Sequence, residues 1–356
     1  MFTRWAALAT AAALLTATAG CSGGDDEPAA AATPQRGTIG LAMPTKASER
    51  WIGDGENMVK QFELLGYRTA MQYADDDVDV QVEQIDDMID AKVAALVIGA
   101  IDGTALKNVL SKAARADIPV IAYDRLIRDS GDVDYYATFD NFKVGVEQGT
   151  AIVDALKLKS GGKKYNLELF AGSPDDNNAT FFFNGAVSVL RPYMKKGLLN
   201  VRSGETSFAD VATMRWDAAV AQKRMTRLLE GGYEVDAVLS PYDGITRGII
   251  TAFQEAKRDL PVITGQDAEL DSVKLIASGQ QTETVYKDTR ELAKVAVQMT
   301  DALLSDEKPM VNDTEQYDNG VKTVPTFLLQ PVNVDKSNYR RVLIDGGYYT
   351  AAQIGA

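Results

Sequence analysis

The chain of 356 residues is 46% apolar and 24% charged, ordinary values for a folded protein, and it is long enough for two domains with a sizeable buried core. A formal net charge of -13 argues against nucleic acid, whose phosphates demand a basic surface. The lack of histidine removes the commonest general base and metal ligand, and a single cysteine rules out an internal disulfide.

The first residues explain where that cysteine stands. Arg4 precedes an Ala/Leu/Thr-rich run from Trp5 to Ala19, followed by Gly20 and Cys21. A charged start, an apolar core and small residues at a cut site make residues 1–20 an export signal, short of the roughly 20 apolar residues that a spanning helix needs. Thr18-Ala19-Gly20-Cys21 has the form of a bacterial lipobox with Thr18 where Leu is usual, which makes Cys21 the candidate for lipid attachment. A plain secreted protein with a spare thiol is the alternative. Residues 21–36 are small, polar and Pro-containing, the composition of a flexible tether.

From Gly37 onward strand and helix patterns alternate. Thr38 to Met43 reads as a strand before a helix with Met58, Phe62 and Leu65 at helical spacing. A strand over Tyr67 to Tyr73 leads to a helix with Val82, Ile85 and Ile89. Val93 to Ile98 leads through Asp102-Gly103-Thr104, a candidate N-cap, to a helix with Leu106, Val109, Leu110 and Ala113. Ile118 to Tyr123 and Tyr135 to Phe139 are two more buried strands, ending in Asp124-Arg125 and Asp140-Asn141. Five strands separated mostly by helices predict a doubly wound parallel sheet.

The pattern then restarts. A helix over Phe142 to Leu158 stops at Ser160-Gly161-Gly162, and a strand over Asn166 to Gly172 delivers Ser173-Pro174-Asp175-Asp176-Asn177-Asn178. Val235 to Ser240 delivers Pro241-Tyr242-Asp243-Gly244, Leu260 to Gly265 delivers Gln266-Asp267, and Glu283 to Tyr286 ends at Lys287-Asp288 before a helix over Thr289 to Ser305. Thr326 to Pro331 reads as a late strand and Asn338 to Tyr349 as a tail that packs on a lobe. The expected fold is α/β, with two doubly wound parallel-sheet lobes facing each other across a cleft. The expected division gives residues 37–139 and about 268–310 to the N-terminal lobe, and residues 140–267 and about 311–356 to the C-terminal lobe.

Polar residues at the ends of parallel strands sit where open α/β sheets bind ligands. Asp, Asn, Arg, Lys and Gln with aromatics suit a polyhydroxylated ligand, because carboxylates accept from hydroxyls, Arg and Lys donate to oxygens, and amides do both. Trp51 and Trp216 are flat enough to lie on the C–H faces of a sugar ring, or they are simply core. Asp124, Asp140, Asp176, Asp243 and Asp267 also supply carboxylates for a glycosidase pair. A general acid needs a raised pKa, however, and Arg125 beside Asp124 lowers it, so a binder is favoured over an enzyme. Gly53-Asp54-Gly55 lacks the third glycine of a dinucleotide motif and more simply lets the chain turn close to the cleft. Asp75-Asp76-Asp77 lacks the Gly and distal Glu of a calcium loop and reads as a solvated turn. No cofactor and no metal are expected.

The runs Gly40 to Gly55, Val120 to Asn141, Gly172 to Ala186, Ala237 to Gly244, Thr264 to Leu270 and Val285 to Val295 together resemble the multiple-monosaccharide-binding and xylose-binding branch of bacterial ABC-transporter solute receptors. The resemblance implies a type I periplasmic-binding-protein fold, with two lobes, a three-stranded hinge and a sugar cleft. It puts Arg50 and Trp51 on the first strand-to-helix loop, Asp124 and Arg125 on the fourth strand, and Asp176 and Asn178 on the Asp-Asp-Asn-Asn loop. Trp216 is the second stacking aromatic, Asp243, Asp267 and Lys287 complete the polar shell, and Asp140 and Asn141 stand next to the hinge. Tyr242 replaces an Asn of the xylose-specific pattern, which favours breadth across glucose, galactose and arabinose types. The implied partners are a monosaccharide, an ABC permease with its ATPase subunit, and the membrane through lipid on Cys21, for a monomer outside the cytoplasm. A sugar receptor serving a sensor kinase or chemoreceptor uses the same cleft and stays open as a reading.

Overall fold

The computed structural model describes residues 36–355, so the export signal, Cys21 and nearly all of the tether lie outside the described residues. The first βα series runs β1 (Thr38–Met43), α1 (Glu49–Leu64), β2 (Arg68–Tyr73), α2 (Val78–Asp90), β3 (Ala95–Ile98), α3 (Lys107–Arg115), β4 (Val120–Tyr123) and β5 (Tyr135–Phe139). The second runs α4 (Asn141–Ala155), β6 (Tyr165–Leu169), α5 (Asn177–Lys195), β7 (Leu199–Asn200), α6 (Phe208–Val211), α7 (Ala218–Glu230), β8 (Ala237–Leu239), α8 (Asp243–Glu255), β9 (Val262–Ile263), α9 (Leu270–Ser278) and β10 (Glu283–Tyr286). The chain ends with α10 (Thr289–Leu304), β11 (Thr326–Leu329), β12 (Val332–Asp335) and α11 (Ala351–Ile354).

Apolar runs make these strands because both faces of each sheet are covered. The first sheet, ordered β2-β1-β3-β4-β5-β11 and parallel throughout, packs α2 and α3 on one face through Ile85, Ile89, Val109 and Leu110. The other face holds α1 and α10 through Met58, Phe62, Leu292 and Ala296. Strands buried on both sides read as continuous hydrophobic runs rather than as alternation. The second sheet, β7-β6-β8-β9, carries α4 and α5 on one face and α7 and α8 on the other. A parallel bridge between Gln266 and Val285 continues it into β10, which pairs antiparallel with β12. The two sheets therefore repeat one strand order, each with a late strand added at its β5 or β10 edge.

Aspartates start the helices. Asp77, Asp140, Asp176, Asp217 and Asp288 each accept a backbone N–H at the beginning of α2, α4, α5, α7 and α10, satisfying donors that a helix N-terminus otherwise leaves unpaired.

Several expectations are corrected. Thr326–Leu329 joins the first sheet beside β5, and Tyr317 and Val324 lie in the first sheet's core, so the span 311–330 sits against that sheet and not the second. Conversely α9 and β10, expected with the first lobe, belong to the second sheet, where Ala268, Val273 and Tyr286 share a cluster with Val334, Tyr339, Leu343 and Ile354. The tail packs there as well. Hydrophobic periodicity shows that a segment is buried but not against which neighbour, and this chain passes between the sheets three times. Asp102 does not cap α3: its carboxylate accepts from Thr104 N–H and Oγ1 within a local turn, and the helix starts at Lys107. Gly53 and Gly55 lie inside α1 rather than in a turn. A Cβ on Gly55 would meet Tyr73 Oη at 2.5 Å and Met71 Sδ at 2.6 Å, so this glycine serves close packing of helix on strand.

Candidate functional site

The carboxyl ends of both sheets enclose a cavity of about 460 Å³. From the first sheet, the turn after β1 brings Arg50 and Trp51 on the opening turn of α1. Arg50 is buried, and its guanidinium meets three carboxylates: Asp124 Oδ1 at 2.5 Å, Asp54 Oδ2 at 3.2 Å and Asp267 Oδ1 at 3.6 Å. Burial works against its charge, but these neighbours outweigh it and hold Arg50 protonated. Asp54 also accepts from the Tyr123 hydroxyl. Its desolvation exceeds the pull of Arg50, and its carboxyl is pushed up to about 7. Trp51 lies with the guanidinium centres of Arg50 and Arg125 4.9 Å and 5.3 Å from its ring centroid. Cationic groups this close to an indole face are attracted by its quadrupole.

Asp124 follows β4 with a left-handed backbone, φ 60°, a conformation that costs energy for a residue other than glycine. Its main chain is held from several sides: the N–H donates to Ala137 O at 2.8 Å. Its carbonyl accepts from Tyr136 Oη at 2.6 Å, Thr138 Oγ1 at 2.9 Å and Asn178 Nδ2 at 2.7 Å. The strained turn thereby aims the carboxylate at Arg50. Burial raises the Asp124 pKa, but Arg50, Lys287 and Arg125 together overcome that and bring it down to about 2.

The second sheet supplies the opposite wall. Asp176 caps α5 and stands 3.2 Å from Arg125 Nε; burial nevertheless raises its pKa. Asn178 accepts from Asn141 Nδ2 at 2.9 Å. Lys287 Nζ is 2.9 Å from Asp267 Oδ1, both groups being largely buried. Trp216 has φ 57° and meets Phe182 and Tyr242 edge to face at 6.3 Å and 6.1 Å. A Cβ on Gly172 would come within 2.0 Å of the Trp216 ring, so the indole can lie against the end of β6 only because that residue is glycine.

Of the residues expected at the site, Arg50, Trp51, Asp124, Arg125, Asp176, Asn178, Trp216, Asp267 and Lys287 line this one cavity. Three do not. Asp140 is the N-cap of α4. Asn141 points at Asn178 and Tyr317 beneath the wall. Asp243 faces away, accepting from Glu269 N–H, Gln281 Nε2 and Thr284 Oγ1 at 2.9–3.0 Å, and burial raises its pKa well above the usual range. Each follows a strand, but the side chain turns toward a helix end or the sheet interior. Ser48, Asp175, Phe182, Arg215, Arg247 and Gln266 also line the cavity without having been singled out as site residues. Phe182 and Arg247 lie within α5 and α8, and the others lie one or more residues away from the motif positions, where periodicity does not reveal the course of the chain. Asp75-Asp76-Asp77 is a capping turn, as Asp77 shows, but Asp76 reaches the mouth and its carbonyl accepts from Arg215 Nη2 at 2.9 Å.

Three buried carboxylates of the cavity wall already have a cation against them: Asp124 with Arg50, Asp176 with Arg125, and Asp267 with Lys287. Such a surface can exchange water for hydroxyl groups in both donor and acceptor roles without stranding a charge, while the two indoles supply flat apolar faces.

A family model described as a periplasmic binding protein domain matches residues 39–308. The chain is 56% identical over 327 residues to the multiple sugar-binding periplasmic receptor ChvE of Rhizobium radiobacter, covering 90% of this chain and 92% of that protein. It is 36% identical over 318 residues to the D-xylose-binding periplasmic protein of Escherichia coli (strain K12), covering 89% and 92%. Among solved structures it matches an ABC transporter solute binding protein from Clostridium phytofermentans with bound β-D-glucose at TM-score 0.87 and 45% identity, covering 89% of this chain and 99% of that one.

Proposed function

Because the chain belongs to the periplasmic binding protein domain family, beside its multiple-sugar and xylose receptors, we propose that it captures a monosaccharide outside the cytoplasm for an ABC importer. The observation that carries this reading is the cavity wall itself. Prepaired carboxylates and cations from two sheets, with Trp51 and Trp216, converge on about 460 Å³, a volume within the range of small-ligand pockets. The ligand is a glucose, galactose, arabinose or xylose type of sugar. Arg50, Asp124, Arg125, Asp176, Asn178, Asp267 and Lys287 bond its hydroxyl and ring oxygens, and the two tryptophans cover its C–H faces. Each bond to a charged group is worth about 1.5–3 kcal/mol, so several reach useful affinity.

Capture proceeds by closure. One lobe comprises residues 36–139 and 288–330, the other residues 140–287 and 331–355, and the crossings near 140, 287 and 330 form the hinge. A sugar that touches both walls has higher affinity for the closed form and makes it the populated one. The chain performs no catalysis. A glycosidase needs an acid and a second carboxylate free to act on one scissile bond, whereas Asp124, Asp176 and Asp267 each stand against a cation in this cavity, which favours a binder. Lipid on Cys21 and the tether keep the domain near a permease and its ATPase, and the receptor works as a monomer.

A thermal-shift panel of monosaccharides on the mature chain tests the reading. At least one pyranose raises the melting temperature. Asp124→Ala and Arg125→Ala each remove that rise while the ligand-free variants still unfold cooperatively. Unchanged sugar affinity in both variants would overturn the site assignment, and product release from an oligosaccharide would overturn the non-enzymatic role.

A further inference from the structure

Asp267, Ala268 and Glu269 form a turn that ties the cavity wall to its mouth. Asp267 and Ala268 both have left-handed backbones, φ 88° and 48°, and neither is glycine, so the turn persists only if its surroundings hold it. They do so at each residue. Asp267 N–H donates to Val285 O at 2.9 Å, Ala268 N–H to Thr284 Oγ1 at 3.1 Å, and Glu269 N–H to Asp243 Oδ2 at 2.9 Å. Asp243, which does not line the cavity, thus fixes the backbone of Glu269 from behind.

The two carboxylates of the turn serve different places. Asp267 faces Lys287 and Arg50 inside the cavity. Glu269, only 6% exposed, does not line the cavity but bridges the cleft: its Oε1 accepts from Ser48 Oγ at 2.9 Å and from Tyr242 Oη at 2.5 Å, and its Oε2 meets Arg247 Nη2 at 2.6 Å. Tyr242 and Arg247 belong to the second sheet's side, whereas Ser48 stands on the first, directly before α1 and two residues from Arg50. Its hydroxyl makes no capping bond to α1.

We propose that Glu269 is a positioning residue that latches the closed form: by holding Ser48, and with it the opening turn of α1 that carries Arg50 and Trp51, it sets how long the sugar stays. The inference rests on the capture reading and extends it. Because the latch and the ligand-facing Asp267 share one rigid turn, a sugar that seats Asp267 also presents Glu269 to Ser48. Loss of one hydrogen bond to a carboxylate shielded from water weakens closure about tenfold, and the change appears in dissociation, as most affinity changes within one interface do.

Stopped-flow tryptophan fluorescence on the mature chain with D-glucose, D-galactose and D-xylose tests the latch. Ser48→Ala is expected to raise the dissociation rate of the bound sugar about tenfold, leave association within a factor of about two and keep the order of preference among the three sugars. Glu269→Gln keeps an acceptor for the Ser48 hydroxyl but an uncharged one, so it shifts dissociation in the same direction by less than Ser48→Ala does. Should Glu269→Gln fail to fold, Ser48→Ala alone decides. Wild-type dissociation in Ser48→Ala overturns the latch, as does a changed order of sugar preference, which would mean that Ser48 reads the ligand. If the wild type binds no monosaccharide, the capture reading falls and the latch with it.

Discussion

Asp54 sits under the cavity wall, fully buried between Arg50 and the Tyr123 hydroxyl, and it makes stability depend on pH in an unusual direction. In the unfolded chain it titrates near the ordinary carboxyl value of about 3.9; folded, it is pushed up to about 7 by desolvation that Arg50 only partly offsets. Between those values the folded state holds a proton that the unfolded state has released. Its contribution to stability therefore falls as pH rises from about 4 to about 7 and is level above that. Asp124, brought down to about 2, acts oppositely: its contribution is present above about 4 and is lost as pH falls toward 2. Asp54→Asn removes the first effect alone. Melting curves at pH 5 and pH 8 are expected to show the variant gaining on the wild type at the higher pH, by about 1.4 kcal/mol for each pH unit between 5 and the folded pKa near 7. An equal offset at both pH values would mean that Asp54 is ionised throughout.

Helices α4 and α5 cross through glycines. A Cβ on Gly145 would lie 1.9 Å from Phe182 O, one on Gly149 2.8 Å from Ala186 O, and one on Gly185 2.1 Å from Phe142 O. These obstacles are backbone atoms, which cannot swing aside as a side chain can. Gly145→Ala should force the helices apart, costing about 3 kcal/mol, the upper range for overpacking, and should disturb Phe182, which touches both the cavity and Trp216. Denaturant unfolding checks the first effect and sugar titration the second. The stop signal at Ser160-Gly161-Gly162 located the end of α4. The sequence was silent about the separation of α4 and α5, because a glycine in a helix reads only as weak propensity. The site was legible to a similar depth. A buried strand that stops at polar residues announces its carboxyl end, and so Asp124, Arg125, Asp176, Asp267 and Lys287 were expected near the cavity that they line. It does not say which way the next side chain turns, and so Asp243 and Asn141 were placed in the cavity although each braces a wall from behind. The contacts of Glu269 with Ser48, Tyr242 and Arg247 were not foreseen, because they depend on two left-handed residues, Asp267 and Ala268, that are not glycines and leave no mark in composition.

The two sheets repeat one topology, but the chain does not finish one before touching the other. β11 returns to the first sheet and β12 to the second, and Asp140 N–H donates to Leu329 O at 2.9 Å where two of the passages run side by side. Alternation of strands and helices was enough to foresee two similar α/β halves; it could not assign the last third, where both sheets offer an equally apolar neighbour. In the proposed capture, three passages restrain the halves to a rotation about one line. Small-angle scattering on the mature chain is expected to show a smaller radius of gyration with saturating sugar than without it, and an intermediate average at half saturation, as a two-state shift requires. An unchanged radius would mean that the pocket fills without movement of the lobes.

Lys287 stands on one of those passages, between β10 and α10, while its ammonium reaches Asp267 in the cavity. In the proposed capture, grip and pivot thus fall to the side chain and the backbone of one residue, and no chain of intermediate groups has to relay occupancy from one to the other. Anyone refashioning this receptor for a different guest molecule would therefore redraw the contacts offered by β4 and β6, because an exchange at Lys287, or at the Asp267 that faces it, would alter swing and selectivity in a single stroke.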